Sequence, residues 1–362
     1  MATACSSLIP TVHLPKQLQL VPPHRRNHVC YLNVPDLDWP VGINVLEDVH
    51  PDRRAVLVDG VVSAMRAIWA ESWGPRMEQI LRHAARALIE IPNASLILLP
   101  RLLTDDSYRK SAVARVSDPF TRAFFDDRFA AWRDEYREVA IDPVLNKVEA
   151  FLAFPHVRNI LGQGRSTLHL DQAMQRGRIV IVNLAKSEIG ETAAHLVGAF
   201  LIAQVLSKLS LGQGTDFHLH IDEAHNFGAL SLLLREARKY RCSVTAATQF
   251  LDGLDPETRA ALRGTVRTHA FFRLGGDDAD LVAPSLDREF QEFNPHVLQH
   301  LDRGSAIIRR PGREAAEVQI PAPRRGIGNP ENVMKQSRLH YGVRRGQVEE
   351  NIFKALRFET DR

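Results

Sequence analysis

The sequence predicts an α/β protein in which a parallel sheet flanked by helices follows a largely helical stretch. Short apolar runs at 179–184, 217–221, 243–248, 270–274 and 305–309 alternate with helical patterns, the arrangement that gives parallel strands linked by crossover helices. Residues 60–165 instead repeat apolar side chains at helical spacing with almost no strand signal. The run at 217–221 ends in Asp222 and Glu223, which sets two adjacent carboxylates at the carboxyl edge of the sheet, where folds of this class bind ligands.

Taken in order, the first 27 residues are punctuated by proline, unpatterned, and read as a ragged start. Residues 28–33, His-Val-Cys-Tyr-Leu-Asn, read as a short buried strand. Over 72–91, Met77, Ile80, Leu81, Ala84, Leu88 and Ile91 recur three and four apart, with Ser72 as cap and Pro75 in the first turn of an amphipathic helix. Further helices are expected over 96–103, 107–116, 120–137 and 143–153, broken by Pro100, Pro119 and Pro155. Asp255-Pro256 and Asn294-Pro295 each supply a cap followed by proline at the first helical position. After Pro321 the chain, with Arg324, Arg325, Arg344 and Arg345, reads as a basic extension ending in a helix near 349–356. The expected division is a ragged start and front remnant of the core at 1–59, a helical insertion at 60–165, the α/β core at 166–323 and a basic tail at 324–362.

At 362 residues and 44% hydrophobic content the chain has ample apolar material for a packed core. Its 46 Lys and Arg against 43 Asp and Glu leave a net charge of +3, too small to argue alone for nucleic acid or an anionic membrane. Cys5, Cys30 and Cys242 are scattered without metal spacing and fit a reducing compartment better than a disulfide framework. With no secretory signal pattern in residues 1–20, a cytoplasmic location is expected. The most apolar stretch, 193–211, is interrupted by His195, Gln204, Ser207 and Lys208, and reads as a buried helix rather than a membrane span.

The run Phe217-His-Leu-His-Ile-Asp222-Glu223 is a Walker B pattern. In such a site Asp222 holds Mg²⁺ through water, and Glu223 accepts a proton from the water attacking the γ-phosphate of ATP. A second short strand ends in Thr248 and Gln249, so that a neighbouring position in the sheet would set Gln249 beside the phosphates as a sensor. Between them lies a helical run, Leu232-Leu-Leu-Arg235-Glu-Ala-Arg238-Lys-Tyr240, whose charged face is either solvated or supplies an arginine to a neighbouring subunit's nucleotide.

Asp222-Glu-Ala-His-Asn-Phe227, Glu236-Ala-Arg-Lys-Tyr240, Thr248-Gln249 and Phe272-Arg-Leu-Gly-Gly-Asp-Asp-Ala279 occur in the order found in the TraG/TraD and HerA/FtsK motor superfamily, which this sequence resembles. Upstream, Trp73-Gly-Pro-Arg-Met-Glu78, Arg101-Leu-Leu-Thr-Asp105 and Asn146-Lys-Val148 resemble the helical insertion of conjugative DNA-transfer coupling ATPases. The resemblance runs from about residue 21 to the end of the chain. It implies a RecA-like P-loop ATPase core, a homo-hexameric ring that pumps DNA, ATP and Mg as cofactors, and type IV secretion or relaxosome components as partners. It also implies membrane association only through those partners, with Arg238 as the trans-acting arginine, Gln249 as the sensor, and Asp222 and Thr248 on the nucleotide side.

One departure outweighs the match: no Gly-x-x-x-x-Gly-Lys-Ser/Thr occurs anywhere in the sequence. Gly162-Gln-Gly164-Arg165-Ser166 has no lysine, follows a helix and comes too late in the order to replace it. The expectation is therefore a core missing its first strand and P-loop, as from a truncated gene, a disrupted frame or a late start codon, and inactive alone. A non-catalytic partner-binding remnant of such a motor is the alternative. A further alternative is a metal-dependent hydrolase using His218, His220 and Asp222, three potential ligands on one strand face, although Glu223 stands where the H-x-H-x-D-H pattern wants histidine.

Overall fold

The structure, a computed structural model, describes residues 4–9, 17–47, 50–209, 216–227, 230–286, 292–322 and 326–357. Five parallel strands form the main sheet: β1 (Ala4–Ile9), β2 (Val29–Asn33), β3 (Ile179–Asn183), β4 (Phe217–Ile221) and β5 (Cys242–Ala246), in the order β2-β3-β1-β4-β5. β2 and β3 read as near-continuous apolar runs because their side chains are buried on both faces, as parallel strands require.

The sheets differ from the sequence expectation in two ways. Residues 4–9 are a central strand rather than part of a ragged start, in register with β3 on one side and β4 on the other. The sequence hides this because the demand comes from two partners far along the chain, whose inner ladder edges would otherwise stay unpaired. Second, the runs near 270 and 305 do not join the parallel sheet. β6 (His269–Phe271), β7 (Ser305–Arg309) and β8 (Ala316–Gln319) form a separate antiparallel sheet over its own cluster of Val282, Phe293, Leu298 and Ile307.

The helices preceding the core include α1 (Arg54–Ile68), α2 (Pro75–Leu88) and α3 (Asp134–Leu152). α2 buries Met77, Ile80, Leu81, Ala84 and Leu88 as its period demands, but its cap is Gly74, and Ser72 lies in a preceding 3₁₀ turn. The expected helix over 120–137 is broken. A widened π turn at Phe124–Phe129 lets Phe124, Phe125 and Phe129 all face inward, with His83 stacked on Phe124 at 4.2 Å. α3 then runs through Pro143 instead of starting there. The Asp-Pro and Asn-Pro caps hold: Asp255 accepts from the Thr258 N–H at 2.9 Å and Asn294 from the Val297 N–H at 3.0 Å.

After β3 come the short α4 (Lys186–Ile189) and the long α5 (Glu191–Leu209). By length and composition α5 is apolar enough to cross a membrane, yet 78% of its apolar window is buried within the fold. Gln204, one of the polar residues interrupting it, donates to the Asn44 carbonyl at 3.0 Å. α5 packs on α1 where Gly60 meets Ala203, and it touches the loop beyond β4 where Gly198 meets the ring of Phe227. One hydrophobic cluster runs from Cys30 and Leu32 through these helices to Phe217, Cys242 and Ile352. Burial raises the thiols of Cys30 and Cys242, the latter to about 12, so both are inert apolar fillers.

The chain beyond 326 is not an extension. α6 (Pro330–Tyr341) covers the outer edge of β2, where the Ser337 hydroxyl accepts from the Tyr31 N–H at 2.8 Å and donates to its carbonyl at 3.2 Å. α7 (Arg345–Leu356) buries Val348 and Ile352 in the main core. Arg324 and Arg325 lie outside the described residues. The 162–166 glycine cluster is a packing device: the Asn44 side chain donates to the carbonyls of Ala94 and Gly164, both at 2.8 Å, and a Cβ on Gly164 would stand 2.6 Å from the Asn93 carbonyl.

A Cβ on Gly198 would stand 2.1 Å from Phe227 Cε1. Gly198→Ala should therefore lower folding stability by about 1–3 kcal/mol, with Phe227→Leu in the same chain recovering part of the loss. Chemical denaturation checks this, and an unchanged midpoint in Gly198→Ala would refute the packing described.

Candidate active site

β4 turns Phe217, Leu219 and Ile221 inward and His218 and His220 outward, and its period of two delivers Asp222 and Glu223 at the carboxyl edge. Its pairing with β5 continues past both strands: the Ala247 N–H donates to the Ile221 carbonyl at 2.8 Å and the Ala224 N–H to the Ala247 carbonyl at 2.7 Å. Asp222, Glu223 and Thr248 therefore stand at one level on adjacent strands. Asp222 is half-buried, and its Oδ1 accepts the Glu223 N–H at 3.0 Å. Glu223 is only 8% exposed and has a left-handed backbone, with φ +48°.

A third contribution comes from β3. Its last residue, Asn183, donates to Asn33 Oδ1 at 2.7 Å, and that oxygen also accepts the Tyr31 hydroxyl at 3.1 Å. Asn183 Oδ1 accepts the Ala185 N–H at 3.2 Å, bracing a turn in which Ala185 has φ +20°. Lys186 follows, and its Nζ lies 2.8 Å from Glu223 Oε2. A positive φ away from glycine costs on the order of 1–3 kcal/mol and collects at functional sites. Among the described residues it occurs at Asn93, Ala185, Glu223 and Arg241, so two of the four adjoin this ion pair.

His225 sits beside the acids, with Nδ1 3.2 Å from the Thr248 hydroxyl, which donates to the Phe250 carbonyl at 2.8 Å. Desolvation, reinforced by the Lys186 charge, holds this imidazole below its ordinary pKa. Desolvation lowers His218 and His220 as well.

Chemically, this edge offers a half-buried carboxylate suited to a metal-bound water, and a second, desolvated carboxylate suited to taking a proton. Those donors fit Mg-ATP in part. A phosphate cradle is the missing half, since no Gly-x-x-x-x-Gly-Lys-Ser/Thr exists in the sequence.

Of the residues anticipated, Asp222, Glu223 and Thr248 come together, and Gln249 lies exposed one position beyond. Arg238 is elsewhere. The chain returns from the carboxyl end of β4 through the helix Leu230–Glu236 to the amino end of β5, where the Phe217 N–H donates to the Arg241 carbonyl. Arg238 thus lies near the amino edge, roughly 20 Å of strand from its own Glu223. It is exposed, and Glu236 pairs with Lys239 instead, at 2.7 Å. Both ring nitrogens of His218 are engaged by the hydroxyls of Ser243 and Thr245, and no three His, Cys, Asp or Glu side chains group as metal ligands among the described residues. Sequence reasoning missed Lys186 and His225. A lysine placed three residues past an apolar strand and four before Gly190 was the available signal for the first.

No protein-family model matches this sequence, and no curated protein matches it. Solved structures do match in fold. The bacterial conjugative coupling protein TrwB, in its unbound form, aligns with a TM-score of 0.63 and 15% identity over 91% of this chain and 81% of that one. VirB4 of Thermoanaerobacter pseudethanolicus aligns with a TM-score of 0.58 and 12% identity over 89% of this chain and 82% of that one. At these identities the likeness is one of fold, a mixed α/β fold shared with conjugative coupling and VirB4 proteins.

The partly desolvated histidines give a pH prediction. His83, His156 and His269 share the lowered pKa of His218, His220 and His225, with desolvation the leading cause in each. Just below histidine's ordinary value, near 6.5, the unfolded chain then binds more protons than the folded one. Stability is full above about pH 6.5 and is lost as pH falls through the lowered folded-state values. Urea denaturation at pH 8.0 and pH 5.5 should show a lower midpoint at pH 5.5; equal midpoints would count against folded-state imidazoles held neutral by desolvation.

Proposed function

We propose that this chain carries the hydrolytic half of an ATP-driven motor that moves DNA, built on a RecA-like core and working as one subunit of a homo-hexameric ring. The observation that carries the reading is the Asp222–Glu223 pair at the carboxyl edge of a parallel sheet, with Glu223 buried, strained and matched to a cation. Strain and desolvation at this strand end suit a positioned proton acceptor. Mg-ATP, when bound, supplies the phosphoryl group and the divalent charge that steadies it. Asp222 would hold that cation, and Glu223 would take the proton of the attacking water. Gln249, exposed beside Thr248 on the same edge, reports the state of the γ-phosphate to the loop after it.

Arg238, at the opposite edge and exposed, with no side-chain partner among the described residues, suits a neighbouring subunit's site and not its own. DNA as cargo, secretion components as partners and a cytoplasmic working side rest on the ordered motif resemblance and on the fold shared with a conjugative coupling protein. The competing reading, a partner-binding remnant without catalysis, draws on the missing P-loop.

On this proposal the chain binds Mg-ATP only weakly, because the P-loop, whose backbone N–H groups cradle the β- and γ-phosphates, is missing; micromolar affinity by isothermal titration would overturn that. Replacing residues 1–16 with a P-loop strand, loop and helix should yield ATP turnover, abolished by Glu223→Gln with nucleotide binding kept. A replaced chain that binds Mg-ATP tightly and never hydrolyses it would favour the remnant.

In the same background Arg238→Ala should cost about 10³-fold in turnover with little loss of stability. Mixing it with Glu223→Gln subunits should recover some activity at interfaces that pair an intact Glu223 with an intact Arg238. Mixed rings as inactive as either parent, despite proven subunit exchange, would remove Arg238 from the mechanism.

A further inference from the structure

The Lys186–Glu223 ion pair joins elements that are not neighbours. β1 separates β3 from β4, with Ile9 level with Asn183 on one side and Leu8 level with Ile221 on the other. Adjacent strands lie about 4.8 Å apart, so β3 and β4 are roughly 10 Å apart. A lysine three residues past the end of β3 and a glutamate two residues past the end of β4 can meet only across the carboxyl end of β1. The pair is a bar over the central strand's carboxyl end, and it holds the Lys186 ammonium at the place where sheets of this class present their ligands.

This is not an ordinary surface pair, since the Lys186 side chain is 26% exposed and that of Glu223 10%. Nor is it a relaxed one, because the residue before Lys186 and Glu223 itself both hold positive φ. The Ala185 turn is fixed by Asn183, which is tied in turn to Asn33 and Tyr31. The sheet therefore aims Lys186 at a set point and leaves only its long side chain adjustable.

Resting on the reading of Asp222 and Glu223 as a phosphoanhydride-hydrolysing pair, we propose that Lys186 is a phosphate-binding lysine parked on Glu223. A polyphosphate at the carboxyl end of β1 competes with the carboxylate for the ammonium and draws it away. The departure of Lys186 returns Glu223 Oε2 to the attacking water. Until then the proton acceptor is occupied, so the same side chain that grips phosphate holds the site off in its absence.

Titration calorimetry with Mg-pyrophosphate on the full chain tests this, using wild type, Glu223→Gln, Lys186→Met, Lys186→Arg and the Lys186→Met/Glu223→Gln double variant. Glu223→Gln should bind about tenfold more tightly than wild type, the scale of one charge-assisted hydrogen bond no longer competing. Lys186→Met should lose binding and Lys186→Arg should keep it. The double variant should regain thermal stability, because the Glu223 charge is removed together with the Lys186 ammonium that faces it, while binding pyrophosphate as poorly as Lys186→Met.

A purely structural pair predicts that the double variant regains pyrophosphate binding along with stability, and that result would overturn the proposal. So would equal affinities across the set, in which case ATP turnover by the P-loop-bearing chain would leave the hydrolytic reading standing. If no variant binds pyrophosphate and the P-loop-bearing chain is also inert, the hydrolytic reading has failed together with the latch.

Discussion

The site depends on one constraint: a parallel sheet cannot leave a gap between two of its strands. β3 and β4 both expend ladder groups on β1, and without it two rows of buried N–H and C=O groups would go unpaired. Filling that gap sets the spacing and level of the strand ends on either side. The meeting of Lys186 and Glu223 follows from that spacing, as does the position of the pair over the middle of the sheet. The register with β5 follows as well, and it brings Thr248 and His225 to the same edge.

Local strain at this edge is offset by packing beneath it. Glu223 could not hold a left-handed backbone in a loose loop, where the chain would relax to an ordinary conformation. Phe227, four residues on, is buried against Gly198 of α5, and the paired carbonyl of Ala247 fixes the intervening Ala224. α5 thus serves as the floor of the site as well as the centre of the core, which explains why so apolar a helix is wanted there. Burial of its apolar surface is the non-directional term that holds the directional ones in place.

Much of the frame was legible in the sequence because it is local. The β4 run with its two acids, the β3 run, the period of α2 and the Asp-Pro and Asn-Pro caps each depend on neighbours within a few residues. What stayed illegible is non-local. Ala-Cys-Ser-Ser-Leu-Ile has little strand character of its own and is a strand only because β3 and β4 flank it. The runs at β6 and β7 have strand character, but propensity does not encode the direction of a partner, so their antiparallel sheet was misassigned. α6 looked like a tail because Val333 and Ser337 find their partners on β2, some 300 residues earlier. At the site, Asp222, Glu223 and Gln249 were readable as strand ends, whereas Lys186 was not, because a lysine in a loop is usually solvated and its partner lies across another strand.

In the proposed latch, polyphosphate binds at the carboxyl end of β1 and takes Lys186 from Glu223. A crystal structure of this chain soaked with Mg-pyrophosphate tests it most directly. The account predicts density above the end of β1, within hydrogen-bonding distance of Lys186 Nζ, with the Lys186–Glu223 separation grown well beyond its present 2.8 Å. Pyrophosphate bound elsewhere, for example in the groove between Trp39 and Arg338, with the ion pair intact, would contradict it.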